Sequence, residues 1–328
     1  MKSENQVKNG PLKLFIASIC SFIGAGFITG AEIWHYFARF ENDMILGVIS
    51  FSILFYFLIL FCFKSSKNEN TKTKKIKTAV SIFSEIVISA AMISGIKQMT
   101  KNQFYSDWLA LFLIVVLVIF LLLFLNIKYF LFYNYFVVGF VIAFTLSLFA
   151  ILDVKFDLNL QELSFDNSCK SLIYACFYAF MNIAGVRPII ERIEFKNNSQ
   201  ANKKRFSFLL VFALILLILI LSIFLISNKY LTLNSMPFLL LFNNKNIALK
   251  IIFIIGLLMA LVSTAISCLG GAASKVDLIF DDEKFSKSFI FIFVLLLSFL
   301  SFDFFIQIFY PIIAVLNAIL FFVEICKK

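Results

Sequence analysis

A chain of 328 residues that is 62% hydrophobic, with 45 phenylalanines and a mean hydropathy of +0.98, cannot be a soluble domain and is read as an integral membrane protein. Its formal charge of +10 needs assigning to loops before it says anything about partners. The six cysteines (Cys20, Cys62, Cys169, Cys176, Cys268 and Cys326) stand singly, with no CxxC pair and one histidine in the chain, which excludes an evident disulfide framework or zinc site. GxxxxGK[ST], HExxH and GxSxG are all absent, so ATP-driven chemistry and the familiar hydrolytic arrangements lack their parts, and no enzyme is expected.

Crossing the hydrocarbon core takes about 20 mostly apolar residues per helix. Ten segments meet or approach that length, which predicts an all-α membrane protein of ten transmembrane helices in a single domain spanning 1–328. The first segment, Leu12 to Phe40, contains FIGAGFITGAEIWHYFARF, where Gly24, Gly26 and Gly30 mark a place at which the helix is interrupted. The first apolar stretch has no convincing small-residue cleavage site, so it is expected to stay in the mature chain. Met44 to Phe63 follows without a charge, and Ile76 to Met99 holds one, Glu85. Trp108 to Ile127 and Tyr129 to Leu152 complete a first half. Ser168 to Ile190 opens the second half with YACFYAFMNIAGVRP, where Asn182, Gly185, Arg187 and Pro188 predict a second interruption. Phe206 to Asn228 is followed by the loop TLNSMPFLLLFNN, which is either a re-entrant, lid-like hairpin or a stretch lying on the membrane surface. Ile251 to Ser274, Ser288 to Phe302 and Phe304 to Val323 complete the chain.

With the N-terminus in the cytoplasm, 21 of the lysines and arginines fall on the inner side and 8 on the outer, a positive-inside distribution. The charge is therefore topology, and the lipid bilayer rather than nucleic acid is the partner it implies. Both termini are expected to be cytoplasmic. Oligomeric state is not legible.

Ten segments divide into two sets of five, about 12–153 and 168–326, and an odd number per set gives the halves opposite orientation, as in an inverted repeat. Interrupted helices at corresponding positions of two such halves point to a midplane solute site, because lipid offers no partners to free backbone groups, which survive only in protein or beside a wet cavity. The solute is expected between the backbone of Gly24, Ala25 and Gly26 and a wall made by Phe177, Tyr178 and Phe180, with Asn182. The competing account makes Gly26 and Gly30 a small-residue packing face on an unbroken helix. Two intramembrane acids, Glu32 beside the break and Glu85, are candidates for a coupling proton, a solute amine or a structural hydrogen bond. His35 is either a partner of Glu32 or an interfacial histidine, and Arg187 is placed close enough to the inner surface to snorkel.

The string IGAGFITGAEIWHYFARF, with MISG at Met92 to Gly95, Tyr174 to Asn182, and ALVSTAISCLGG from Ala260, resembles the YkvI-like bacterial membrane proteins, a group similar to the amino acid, polyamine and organocation (APC) transporter superfamily. The resemblance implies a five-plus-five inverted repeat of the LeuT type with helices 1 and 6 interrupted. It also implies secondary active transport of a small, amino-acid-like organic solute across the bacterial inner membrane, coupled to Na⁺ or H⁺ by alternating access and without a further cofactor. A membrane sensor or assembly partner that keeps the fold is the alternative. Carried over from sodium-coupled relatives, a cation would lie between the backbone of Cys20 and Ile23 and the residues Ala260, Ser263 and Thr264, unless those hydroxyls bond only to their own helix. The chain departs from the pattern at Ala31, where relatives usually have Gln, and in the Ser-Thr order at Ser263 and Thr264.

Overall fold

The computed structural model describes residues 11–23, 25–65, 71–104, 107–124, 127–151, 164–190, 200–233, 235–243 and 247–326, and all regular structure among them is helical. The first membrane segment is assembled from pieces: α1 (Pro11–Phe22), α2 (Ala25–Ile28), α3 (Ala31–Tyr36) and a 3-10 turn (Ala38–Asp43). Gly30 joins α2 to α3 at φ 82°, a left-handed conformation that glycine adopts without strain. The interruption expected at the glycine cluster is present, and the unbroken packing helix is not.

Next come α4 (Met44–Ser65), α5 (Thr71–Gln103), α6 (Trp108–Leu123) and α7 (Ile127–Ile151). The second half holds α8 (Phe165–Ile190), α9 (Gln200–Ser227), a 3-10 turn (Lys229–Leu233), α10 (Pro237–Asn243), α11 (Ile247–Phe280) and α12 (Glu283–Leu297). The last segment is α13 (Phe302–Phe304), a π-helical turn (Phe305–Phe309) and α14 (Tyr310–Cys326). Among the described residues six helical stretches are long and apolar enough to span a bilayer, and Trp108–Leu123 and Phe136–Leu148 are shorter apolar helices. The chain is a multi-pass helical membrane protein.

One expectation is corrected. The sixth segment is not interrupted: α8 runs unbroken from Phe165 to Ile190. Its break-prone residues have other work. A Cβ at Gly185 would lie 3.0 Å from Ser21 Oγ and 3.3 Å from the Ser21 carbonyl, so this glycine lets α1 approach closely. The Asn182 amide donates to the Tyr178 carbonyl at 3.0 Å, within its own helix. Pro188 falls in the last turn. Arg187 does not snorkel, because it donates to both carboxylate oxygens of Glu324 on α14 at 2.8 Å each.

Lipid removes most of the hydrophobic drive for helix association, so contact rests on close packing and interhelical hydrogen bonds. The α4–α8 contact shows both. A Cβ at Gly47 would overlap Ser171 Oγ, the Ser171 hydroxyl donates to the Asp43 carbonyl at 2.9 Å, and Ser168 donates to the Asp43 carboxylate. Between them sits an aromatic cluster: Tyr178 meets Phe22 at 5.6 Å and Phe37 at 5.2 Å between ring centres, and Phe51 stacks on Phe55 at 5.1 Å. Each such pair contributes about 0.5–1.5 kcal/mol beyond burial. The outward faces carry apolar ladders, Ile49, Ile53 and Phe57 on α4 and Leu109, Leu113, Leu117 and Leu121 on α6, which suit lipid.

The segment around Pro237 is the lid-like hairpin rather than a surface-lying stretch. Met236, Phe238, Leu239, Leu241 and Phe242 are buried. The Phe238 amide donates to the Thr29 carbonyl at 3.0 Å, so the hairpin satisfies a backbone acceptor that the break in the first segment leaves free.

Candidate functional site

The break sits beneath a cavity. At the hairpin end of the bundle a space of about 750 Å³ is bounded by Trp34, His35 and Arg39 from the first segment and by Tyr174 and Phe177 on α8. Ser235 and Pro237 of the hairpin close one side. Asp303, Ile306, Gln307 and Pro311, around the π-helical turn, close the other. That turn belongs to the site: the extra residue of a π-helix displaces the carbonyl ladder, and the Tyr36 hydroxyl reaches the Ile306 carbonyl across the interface at 3.4 Å.

Glu32 follows the cavity-lining Ala31 and covers the break. Its side chain is 2% exposed and folds back over the break, so that a Cβ added to Gly26 would overlap the carboxylate. The Tyr178 hydroxyl donates to Glu32 Oε2 at 3.1 Å, and the Tyr36 ring lies 5.0 Å from that of Tyr178. Gly26 thus serves close approach by a side chain, and Glu32 stands where the first segment changes direction. The turn itself is closed locally, with Thr29 Oγ1 donating to the Gly26 carbonyl and the Gly30 amide to the Phe27 carbonyl, each at 3.2 Å.

The upper wall is basic and aromatic. The Arg39 guanidinium lies 4.1 Å from the centre of the Tyr174 ring and 4.8 Å from that of Phe40. Its Nε is buried without a hydrogen-bond partner among the described residues. His35 faces Tyr174 edge-on at 5.5 Å and Tyr36 at 4.9 Å, lines the cavity, and makes no hydrogen bond to Glu32 among the described residues.

Of the expected solute residues, Gly24 lies outside the described residues and Ala25 opens α2. Gly26 packs on Glu32, Phe177 lines the cavity, and Tyr178 bonds Glu32 below it. Phe180 and Asn182 are not among the lining residues; the Phe180 ring turns toward Phe321 on α14, 6.1 Å away. Of the expected cation residues, Cys20 is buried on α1, and the Ile23 amide donates to the Ile19 carbonyl at 2.8 Å. Ala260, Ser263 and Thr264 are buried on α11, which packs against both α1 and α2. The Thr264 hydroxyl donates to the Ala260 carbonyl at 3.1 Å, which uses its proton and leaves oxygen lone pairs. Glu85, the other expected coupling acid, accepts from Lys275 on α11, which also donates to Ser81 at 2.8 Å; it is part of an interhelical ion pair at the far end of the bundle.

Sequence reasoning missed Arg39, Ser235, Asp303 and Gln307 as site residues. Arg39 reads as one more charge at a segment end. The signal that marks it is its setting in WHYFARF, a basic residue embedded in aromatics.

No family model matches this chain, and no protein of curated function matches it by sequence. Its backbone is similar to the solved structure of Mhp1, a nucleobase-cation-symport-1 family transporter in a closed conformation with bromovinylhydantoin bound. The two align at a TM-score of 0.61 with 14% identity, over 87% of this chain and 70% of the other. A manganese transporter of Eremococcus coleocola aligns at a TM-score of 0.43 with 12% identity, over 88% of this chain and 68% of its own, too weakly to carry an argument. The fold is that of the Mhp1 transporter.

Proposed function

We propose that the chain is a secondary active transporter of a small organic solute, coupled to Na⁺ or H⁺ and working by alternating access. The observation that carries this is the interrupted first segment lying directly beneath a cavity of about 750 Å³ with mixed polar and aromatic walls, large enough for a small metabolite. Interrupted helices have few uses in lipid other than to hold solutes and ions. The fold shared with a cation symporter supports the reading.

In this reading the solute enters at the hairpin end and descends toward Gly26 as the Glu32–Tyr178 contact opens. The ten-segment, five-plus-five arrangement with halves 12–153 and 168–326, the YkvI-like kinship, an amino-acid-like solute, and an inner-membrane location with cytoplasmic termini belong to the same proposal. So does the cation site of Cys20, Ile23, Ala260, Ser263 and Thr264, and so does Glu32 as the coupling acid if the ion is a proton. Glu85 is the weaker coupling candidate, because its pairing with Lys275 gives it a structural task.

Purified protein in liposomes, loaded against imposed Na⁺ and H⁺ gradients and offered a solute panel, tests this. Gradient-driven accumulation of one solute class is expected. Saturable solute binding with no accumulation under either gradient would replace transport with the sensor reading.

A further inference from the structure

We infer that Arg39 anchors a carboxylate, and that the cavity takes a monocarboxylate carried on an aromatic or similarly flat apolar body. This rests on the reading of the cavity as a solute site and adds the chemistry of the solute.

An arginine lining a half-enclosed space normally pairs with an acid or with carbonyls. Arg39 makes neither an ion pair nor a hydrogen bond among the described residues: its contacts are the faces of Tyr174 and Phe40, and its Nε is buried without an acceptor. The buried Nε does not face the cavity, but the terminal amino groups of Arg39 make no hydrogen bond among the described residues and are the donors that a ligand in the cavity can meet. Stacking over Tyr174 at 4.1 Å holds the guanidinium plane while leaving its edge donors unused, and that forked edge matches the two oxygens of a carboxylate.

The other walls set the rest of the solute. Trp34, Tyr174 and Phe177 offer aromatic faces at one side, with Ile306 and Pro311 opposite. Asp303 lines the same space, so a second carboxylate on the solute meets a like charge. One acid group with a flat apolar body fits these surroundings; a second acid group meets Asp303, and an amine with no carboxylate leaves Arg39 without an acceptor.

The test uses full-length protein in detergent carrying Trp108→Phe, so that Trp34, on the cavity wall, is the sole indole. Its fluorescence and the thermal unfolding midpoint are followed while phenylacetate, 2-phenylethylamine or phenylsuccinate is added. Phenylacetate is expected to shift both signals saturably, with the other two weaker by roughly tenfold or more, and Arg39→Gln is expected to weaken phenylacetate to a similar degree. Arg39→Lys keeps the charge without the fork and is expected to recover only part of the affinity; it also serves if the glutamine variant does not fold. Phenylacetate binding that survives both substitutions unchanged, preference for the amine or the diacid, or no binding of any of the three overturns the assignment. Uptake of some solute by liposomes without phenylacetate binding overturns this site and leaves transport standing. Phenylacetate held through Arg39 with no solute ever accumulated supports the site and removes transport.

Discussion

The Tyr178 hydroxyl lies 3.1 Å from Glu32 Oε2, so that α8 holds the one acid that fills the break in the first membrane segment. Because Glu32 is buried and a Cβ at Gly26 would meet it, the carboxylate occupies the space beside the break.

Tyr178→Phe is therefore expected to destabilise the protein by about 1–3 kcal/mol, the cost of leaving a buried acceptor without its donor. Glu32→Gln retains the acceptor oxygen and should fold with less loss, yet it cannot ionise, so coupled uptake should fall while solute binding persists. Thermal unfolding beside proteoliposome uptake separates the two effects. Full coupled uptake in Glu32→Gln removes the acid from the coupling mechanism.

Gly26 and Glu32 are expected to be energetically coupled through space alone. Gly26→Ala should lower stability, because the new methyl must displace the carboxylate, and Glu32→Ala should make room for it. A double-mutant cycle on unfolding midpoints is expected to return an interaction of about 0.5–3 kcal/mol, with the alanine at position 26 better tolerated in the Glu32→Ala background. Simple additivity would mean that Glu32 leaves the break readily.

How far the sequence reached depended on whether a residue's role is local. Gly24, Gly26 and Gly30 marked the interruption because the left-handed turn at Gly30 is a backbone requirement visible in composition. The same reasoning failed at α8, where Gly185 answers to Ser21 on another helix and Arg187 to Glu324 on a third, partners no local pattern reveals. The lining of the cavity was out of reach for the same reason. Asp303, Gln307 and Ser235 reach it from elements far apart in the chain, and the π-helical turn that positions Ile306 has no sequence signature of its own.

The Arg187–Glu324 pair joins α8 to α14 with both side chains largely buried, at 13% and 4% exposure. Removing one partner leaves a largely buried charge without this pairing, so Arg187→Met alone or Glu324→Leu alone is expected to cost up to about 3–5 kcal/mol. The double substitution should recover much of that loss. Unfolding midpoints of the three variants check it, and equal losses in all three would show that the pair is not acting as a unit.

If the coupling ion is sodium, Ser263→Ala combined with Thr264→Ala should leave the protein folded and abolish Na⁺ stimulation of uptake, because two hydroxyl oxygens vanish with little change in volume. Thr264 is held by its bond to the Ala260 carbonyl, so its loss should be small in stability, about 1 kcal/mol. Sodium stimulation that survives the double substitution moves the ion elsewhere; a parent indifferent to sodium moves the coupling to protons.

Gly30 makes two demands at once, and they can be separated. Its φ of 82° costs any residue with a Cβ about 1–2 kcal/mol, and that Cβ would also stand 2.9 Å from the Phe238 ring. Gly30→Ala is thus expected to destabilise the fold and to push the hairpin off the break. Phe238→Ala relieves only the second demand. The single Phe238→Ala variant should keep its backbone turn but expose the break, so a cysteine placed at Ala31 should react with a polar thiol reagent faster than in the parent. Combining it with Gly30→Ala should leave the 1–2 kcal/mol backbone cost and remove the steric one. Labelling at position 31 that is the same with and without the Phe238 ring would mean that the hairpin does not cover the site.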